Sequence, residues 1–427
     1  MAKKTPSKGD YWFPSTGASP VSESSSTRHL HVYSSSSLSR HRRCCRLSST
    51  SPVTFKLKKG LGQEFKGSST GEVTLAGSAF GGRQSRAAGF IGSSLTKKLL
   101  EKGHTVHATL RNLGDLSKVE LLKSFPQADT KLALFEADIN KPNEFEPAIH
   151  GCTFVFHVAT PMQNSDASQF KNTTEAAVSA IKSIAECCLK SGTVKRLIYT
   201  ASVCAASPLK NDGFGYKDFM DETCWRPLNL SLAYSNDFFK ARNYSQFDLF
   251  IKDYTSSKTL SEKEVLRYGS SEKDGGMEVV TLACGIVGGD AALSYTPGSV
   301  AAFISQLTND AFSYQALKYT EELLGKLPIV HINDVCHALV FCMLNPSIGG
   351  RFLTASSFVS AAELADCYRL HYPEFNVKEE NLDGSKSDVK WGSTKLIEKG
   401  FEYKCHLKMI MEDSIKCARR NGDLLQE

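Results

Sequence analysis

The sequence predicts an α/β protein, a doubly wound parallel sheet followed by a smaller mixed lobe toward the C-terminus. Three observations lead there. Short apolar runs alternate with helical patterns between Glu72 and Ala283, as they do when parallel strands are joined by right-handed crossovers. A glycine pair in Ala88-Gly89-Phe90-Ile91-Gly92 opens the first amphipathic helix. The apolar run Leu197-Ile-Tyr-Thr-Ala-Ser202 ends in a hydroxyl, at the carboxyl end of a strand, where open α/β sheets place their chemistry.

Each element has its own signal. Glu72 to Ala76 is a short strand, and Leu95, Leu99 and Leu100 recur at helical spacing across Ile91–Lys102 with lysines opposite. Gly103 ends that helix, and His104–Leu110 alternates as the second strand. Lys131–Glu136 and Thr153–Val158 follow as strands three and four, and a long helix over Thr173–Leu189 leads to strand five at Leu197–Ser202. A helix then carries Tyr254 and Lys258, and Met277–Ala283 is strand six. Beyond Asp290 the chain is more polar and mixed, with a helix over Asp334–Met343 that Asp334 is placed to cap. These readings divide the chain into residues 1–70, 71–289 and 290–427, the last mainly a lobe that closes over the substrate.

Composition narrows the class. With 427 residues and 41% apolar content, the chain can bury a large core. The net charge of +6 is concentrated at the start, where only Asp10 and Glu23 are acidic before Lys59. The rest is near balance, so no nucleic-acid partner is expected. Serine clusters and Arg40-His-Arg-Arg43 lie in a region with no hydrophobic periodicity. Residues 1–70 therefore read as a disordered tail or as sequence not normally coding, ahead of an organelle transit peptide. The 13 cysteines include no C-x-x-C pair. Cys152, Cys284, Cys336 and Cys342 sit in apolar stretches and read as buried free thiols. No run approaches the ~18 apolar residues of a membrane-spanning helix. No metal site is expected.

Gly89 and Gly92, with Phe90 and Ile91 between them, offer backbone N–H groups at a helix N-terminus, the arrangement that cradles a pyrophosphate. This is the dinucleotide-binding turn of a Rossmann sheet, but with its first glycine displaced. Arg86 stands at that position of G-x-x-G-x-x-G, and Gly77 replaces it only if the stretch 78–86 bulges outward. The bland alternative is a helix start packed on a strand. Arg111 follows strand two where an acidic residue would bind a ribose 2′-hydroxyl, so NADPH is expected over NADH. Asp138, after strand three, is expected to meet the adenine amine. Ala159 and Thr160, with Pro161, are expected to line the nicotinamide ribose. His157 reads as a core histidine.

Tyr254 and Lys258 are four apart and share a helix face. An ammonium beside a phenol lowers its pKa from about 10 toward neutrality, where it becomes a usable general acid. Ser202 is expected to hydrogen-bond the substrate oxygen and Tyr254 to deliver the proton. Lys258 would depress the tyrosine pKa and hold the nicotinamide ribose, the cofactor supplying hydride. Cys204 and Cys284 lie near in sequence but have no partner base, so no thiol nucleophile is assigned.

At these residues the chain resembles an extended short-chain dehydrogenase/reductase of the plant dihydroflavonol reductase group, close to its anthocyanidin reductase-like members. The resemblance runs from about Ala88 to Leu425. It rests on Gly103-His-Thr-Val-His-Ala-Thr-Leu-Arg111, Phe156-His-Val-Ala-Thr-Pro161, Tyr254–Lys258 and Lys395-Leu-Ile-Glu-Lys-Gly-Phe401. It implies NADPH-dependent reduction of a flavonoid or phenylpropanoid-type substrate in the cytoplasm, or in a plastid if the N-terminus is a transit peptide. By matching motif, Ser202, Tyr254 and Lys258 take the catalytic roles and Arg111 the 2′-phosphate. Phe214, Tyr216, Phe219 and Trp225 are candidate wall residues, which could equally be plain core. A small aromatic substrate is the expected partner, for a monomer or loose dimer.

Three departures accompany the resemblance. The glycine turn is interrupted, Ala201 stands where the family has a second serine, and the stretch 241–251 lengthens the approach to the catalytic helix. The two irregular stretches look like retained non-coding sequence. The competing expectation is a homologue without turnover, binding cofactor or ligand weakly or not at all.

Overall fold

The computed structural model describes residues 72–77, 89–160, 170–228, 245–269, 276–382 and 387–424. The extension 1–70, the stretch 78–86, Pro161 and residues 241–244 lie outside the described residues. In chain order the elements begin with β1 (Glu72–Gly77), α1 (Phe90–Glu101), β2 (Thr105–Leu110), β3 (Leu132–Glu136) and β4 (Phe154–Val158). Then come α2 (Thr173–Ser191), β5 (Arg196–Ser202), β6 (Phe219–Met220), α3 (Ser245–Tyr268), β7 (Glu278–Cys284) and β8 (Ile286–Gly288). The last part supplies α4 (Gly298–Phe303), α5 (Ala311–Leu324), β9 (Leu327–His331), α6 (Ile332–Leu344) and β10 (Gly350–Thr354). It ends with β11 (Ser357–Val359), α7 (Ala361–His371), β12 (Lys390–Trp391) and α8 (Leu407–Asn421).

Seven strands form one parallel sheet in the order β10-β7-β5-β4-β1-β2-β3. The order reverses between β1 and β4, which creates the switch-point crevice where such sheets bind ligands. Alternation along β5 shows why the sheet is doubly wound. Leu197, Tyr199 and Ala201 enter one core with residues of α2 and α3, while Ile198 enters the other with residues of α1 and α6. The six sequence-predicted strands match β1–β5 and β7 to within a residue or two. The seventh, β10, comes from the C-terminal segment and pairs with β7 from Gly350 to Thr354. A second small sheet, β11-β9-β8, covers a third core that includes Phe303, Leu317, Ile329 and Tyr368.

The cap of α6 differs from expectation. His331 is the N-cap, its ring nitrogen accepting from the Asn333 N–H. Asp334 lies inside the first turn, and its carboxylate accepts from the Lys404 and Cys405 N–H groups. The acid is spent on a distant loop, which local sequence does not reveal. The eleven cysteines among the described residues are free, and Cys152, Cys284, Cys336 and Cys342 are buried.

One buried ion pair fixes α3 on the sheet. Glu262 is fully buried and accepts from Arg351 of β10 through both oxygens, at 3.0 and 3.2 Å. Thr281 of β7 adds a 2.7 Å hydrogen bond to the same carboxylate. The Arg351 guanidinium also binds the Glu222 and Cys224 carbonyls and lies 3.6 Å from the Trp225 ring centre. Removing one partner leaves a buried uncompensated charge. Arg351→Met is therefore expected to lower stability by about 3–5 kcal/mol in chemical denaturation. The double replacement Glu262→Met with Arg351→Met is expected to recover part of that loss.

Candidate active site

The cleft opens at the carboxyl ends of β4, β5 and β7. Its wall includes Gly89–Gly92 of α1, Thr160, Ser202, Tyr254 and Lys258. Gly89 is the N-cap of α1, with extended backbone and no side-chain cap, and no acidic residue occupies the first turn. That leaves an uncancelled helix terminus facing the cleft, which suits an anion. At the other side Gly285, between β7 and β8, permits close approach. A Cβ there would stand 2.5 Å from the Pro328 carbonyl oxygen.

Ser202 ends β5 and its Oγ accepts from the Cys204 N–H at 3.2 Å. The same hydroxyl hydrogen-bonds the Tyr254 phenol. Lys258, one turn further along α3, donates to the Thr200 carbonyl at 3.0 Å and lies 5.3 Å from the Tyr199 ring centre. Burial on α3 follows from the packing of this helix against α2 and the sheet. Arg111, Asp138 and Ala159 stand at the ends of β2, β3 and β4, outside the cleft wall. Arg111 is exposed, and Asp138 uses one carboxylate oxygen on the Asn140 backbone and side chain.

The electrostatics invert one expectation. Burial raises the Tyr254 phenol above its ordinary value, the Cys204 thiol adds to this, and the Ser202 hydrogen bond opposes it. The neighbouring ammonium does not outweigh that burial. Burial instead acts on Lys258 itself, lowering its pKa to about 8, against the opposing pull of Cys284, Glu262 and Cys204. Desolvation exceeds the attraction between neighbours because both groups sit in the same dry wall. Cys284 is pushed up to about 12 by burial, so its thiol stays protonated at neutral pH.

The expected aromatic wall is corrected. None of Phe214, Tyr216, Phe219 or Trp225 lines the cleft. Phe214 is 82% exposed at a turn, and Phe219 is 50% exposed on the β6–β12 pair. Tyr216 hydrogen-bonds the Glu322 carbonyl, and Trp225 is held between Arg351 and Lys263. The rings in the cleft wall are Phe90 and Tyr254 together with Tyr295 and Tyr319 of the C-terminal segment, beside Ile286, Pro297 and Ala302. Ile251, within the lengthened stretch 241–251, is also part of the wall. Tyr295 and Tyr319 lie more than thirty residues beyond Lys258 and reach the wall only through packing, whereas Ile251 stands one helix turn before Tyr254.

A family profile described as NAD(P)H-binding matches residues 87–226. The dihydroflavonol 4-reductase of Gerbera hybrida is 31% identical over 338 residues, covering 79% of this chain and 85% of that protein. The (2S)-flavan-3-ol-forming anthocyanidin reductase of Vitis vinifera is 30% identical over 339 residues, covering 79% and 94%. The crystal structure of vestitone reductase from alfalfa (Medicago sativa L.) is 29% identical and covers 83% of this chain and 100% of its own, with a TM-score of 0.63. Fold and profile together define an NAD(P)H-binding protein with a Rossmann-type sheet. The chain belongs to the dihydroflavonol 4-reductase and anthocyanidin reductase family of extended short-chain dehydrogenases/reductases. Among the described residues no helix is long and apolar enough to cross a membrane, and no cluster of ligands suits a metal ion.

The lowered Lys258 value is directly measurable. After reductive methylation with labelled formaldehyde, its resonance is expected to titrate near pH 8 while surface lysines titrate above 10. An ordinary midpoint for Lys258 would show that burial does not control the site.

Proposed function

We propose that this chain is an NADPH-dependent reductase of a flavonoid or phenylpropanoid-type carbonyl, with Tyr254 as proton donor. The observation that carries this reading is the convergence of Ser202, Tyr254 and Lys258 on the cleft that the N-terminus of α1 also faces. The bound dinucleotide supplies the hydride. Gly89, Phe90, Ile91 and Gly92 would hold its pyrophosphate at the helix N-terminus. Arg111 holds the 2′-phosphate that distinguishes NADPH. Asp138, Ala159 and Thr160 flank the adenine and ribose.

At the reacting end, Ser202 orients the substrate oxygen by hydrogen bonding and Tyr254 gives that oxygen a proton as the carbonyl becomes an alcohol. A raised phenol pKa keeps Tyr254 protonated and ready to donate across the neutral range. With a pKa of about 8, Lys258 is mostly charged at pH 7 and stabilises negative charge developing on the tyrosine oxygen. Reduction is therefore expected to slow as pH rises through about 8 and the ammonium is lost.

Two replacements test the reading. Tyr254→Phe should retain NADPH binding and lose turnover of a dihydroflavonol by about 10²–10⁴-fold; full turnover would refute the proton donor. Arg111→Ala should erase the preference for NADPH over NADH in titration calorimetry. Failure of the unaltered chain to bind either dinucleotide would favour the homologue without turnover.

A further inference from the structure

Among the described residues three arginines are buried, and two of them pair with an acid there. Arg196 pairs with Glu278, and Arg351 with Glu262. Arg226 is just 4% exposed, yet no carboxylate pairs with it among the described residues. Its Nε is buried without a hydrogen-bond partner. Nη1 donates to the Ser256 hydroxyl at 3.3 Å, and Ser256 lies between Tyr254 and Lys258 on α3. The guanidinium also hydrogen-bonds the Tyr319 phenol, and its charge acts on the Cys204 thiol. Tyr319 and Cys204 both line the cleft. A cation out of water without a counter-charge is costly; Arg226 does not itself line the cleft, but the Tyr319 phenol it binds does.

We infer that Arg226 and Tyr319 form an anion-recognising end of the substrate cleft, selecting an aromatic substrate that carries an ionised oxygen, phenolate or carboxylate. The site is built from the segment after β6, which carries Arg226, and from α3 and α5, and so draws on elements other than the α1 terminus assigned to the dinucleotide. Arg226 acts in large part through Tyr319: by donating to the phenol oxygen, it leaves the tyrosine hydrogen free to point at the ligand. The inference rests on the reductase reading only in taking this cleft as the substrate site.

The test uses matched aromatic ketones with the full chain and NADPH. One pair is 4-acetylbenzoate and its methyl ester, and the other is 4-hydroxy-3-nitroacetophenone and its methyl ether. The ionised member of at least one pair should bind about ten- to a hundredfold more tightly, and which pair does so separates carboxylate from phenolate. Arg226→Gln should abolish the preference, Arg226→Lys should keep part of it, and Tyr319→Phe should narrow it. Equal binding within both pairs, or an unchanged preference in Arg226→Gln, overturns the inference and leaves Arg226 as a brace, its backbone N–H on the Ala205 carbonyl and its guanidinium on Ser256. If Arg226→Gln does not fold, Tyr319→Phe decides by the same criterion. Loss of dinucleotide binding in the unaltered chain would count against the reductase reading instead, and the ketone pairs measured without NADPH would still decide this one.

Discussion

The Glu262–Arg351 pair holds the central part of the molecule in register. Glu262 lies on α3 one turn beyond Lys258, and Arg351 lies on the edge strand β10. Their bidentate contact ties the helix to the far edge of the sheet, while Lys258 ties it to the Thr200 carbonyl on β5. Two anchors one turn apart leave the helix little freedom to rotate or slide. Tyr254, one turn earlier, is thereby set beside Ser202. A charged anchor is costly to bury and pays off only when fully partnered. This one is partnered by Thr281, by two backbone carbonyls and by the Trp225 face.

Burial also governs the chemistry of the cleft. In its wall Tyr254, Tyr319, Cys204 and Cys284 are moved upward and Lys258 downward, each in the direction that disfavours charge. The result is a site that is nearly neutral in itself. Its polarity comes from oriented groups, the α1 terminus at one side and the Arg226 guanidinium behind Tyr319 at the other. Negative charge developing on a substrate oxygen would therefore be met by fixed partners in a poorly solvated setting, where they act most strongly.

The C-terminal segment serves two purposes. It returns β10 to the large sheet and packs α6 against α1, which makes it part of the main core. It also supplies Tyr295, Pro297, Ala302 and Tyr319 to the cleft wall. The C-terminal segment and the earlier strands and helices thus share one interior beneath the cleft that both line.

The strands, the long helices and the Ser202, Tyr254, Lys258 set were readable from the chain alone, because each rests on a local rule. Period two marks a strand, period 3.6 a helix face, and a four-residue separation places Tyr254 and Lys258 on one side. Gly89 and Gly92 were legible for the same reason, as backbone at a helix start. Long-range packing settled the rest. It turned Phe214 and Phe219 outward, gave Asp334 to a loop seventy residues away, and brought Tyr295 and Tyr319 into the wall. It also reversed the sign of the Tyr254 shift, since desolvation is a sum over everything packed around a group and no neighbour in sequence reports it. Whether a buried arginine has an acid is likewise a property of strands and helices that meet only in the folded chain, which is why Arg226 looks like any other arginine until its surroundings are known.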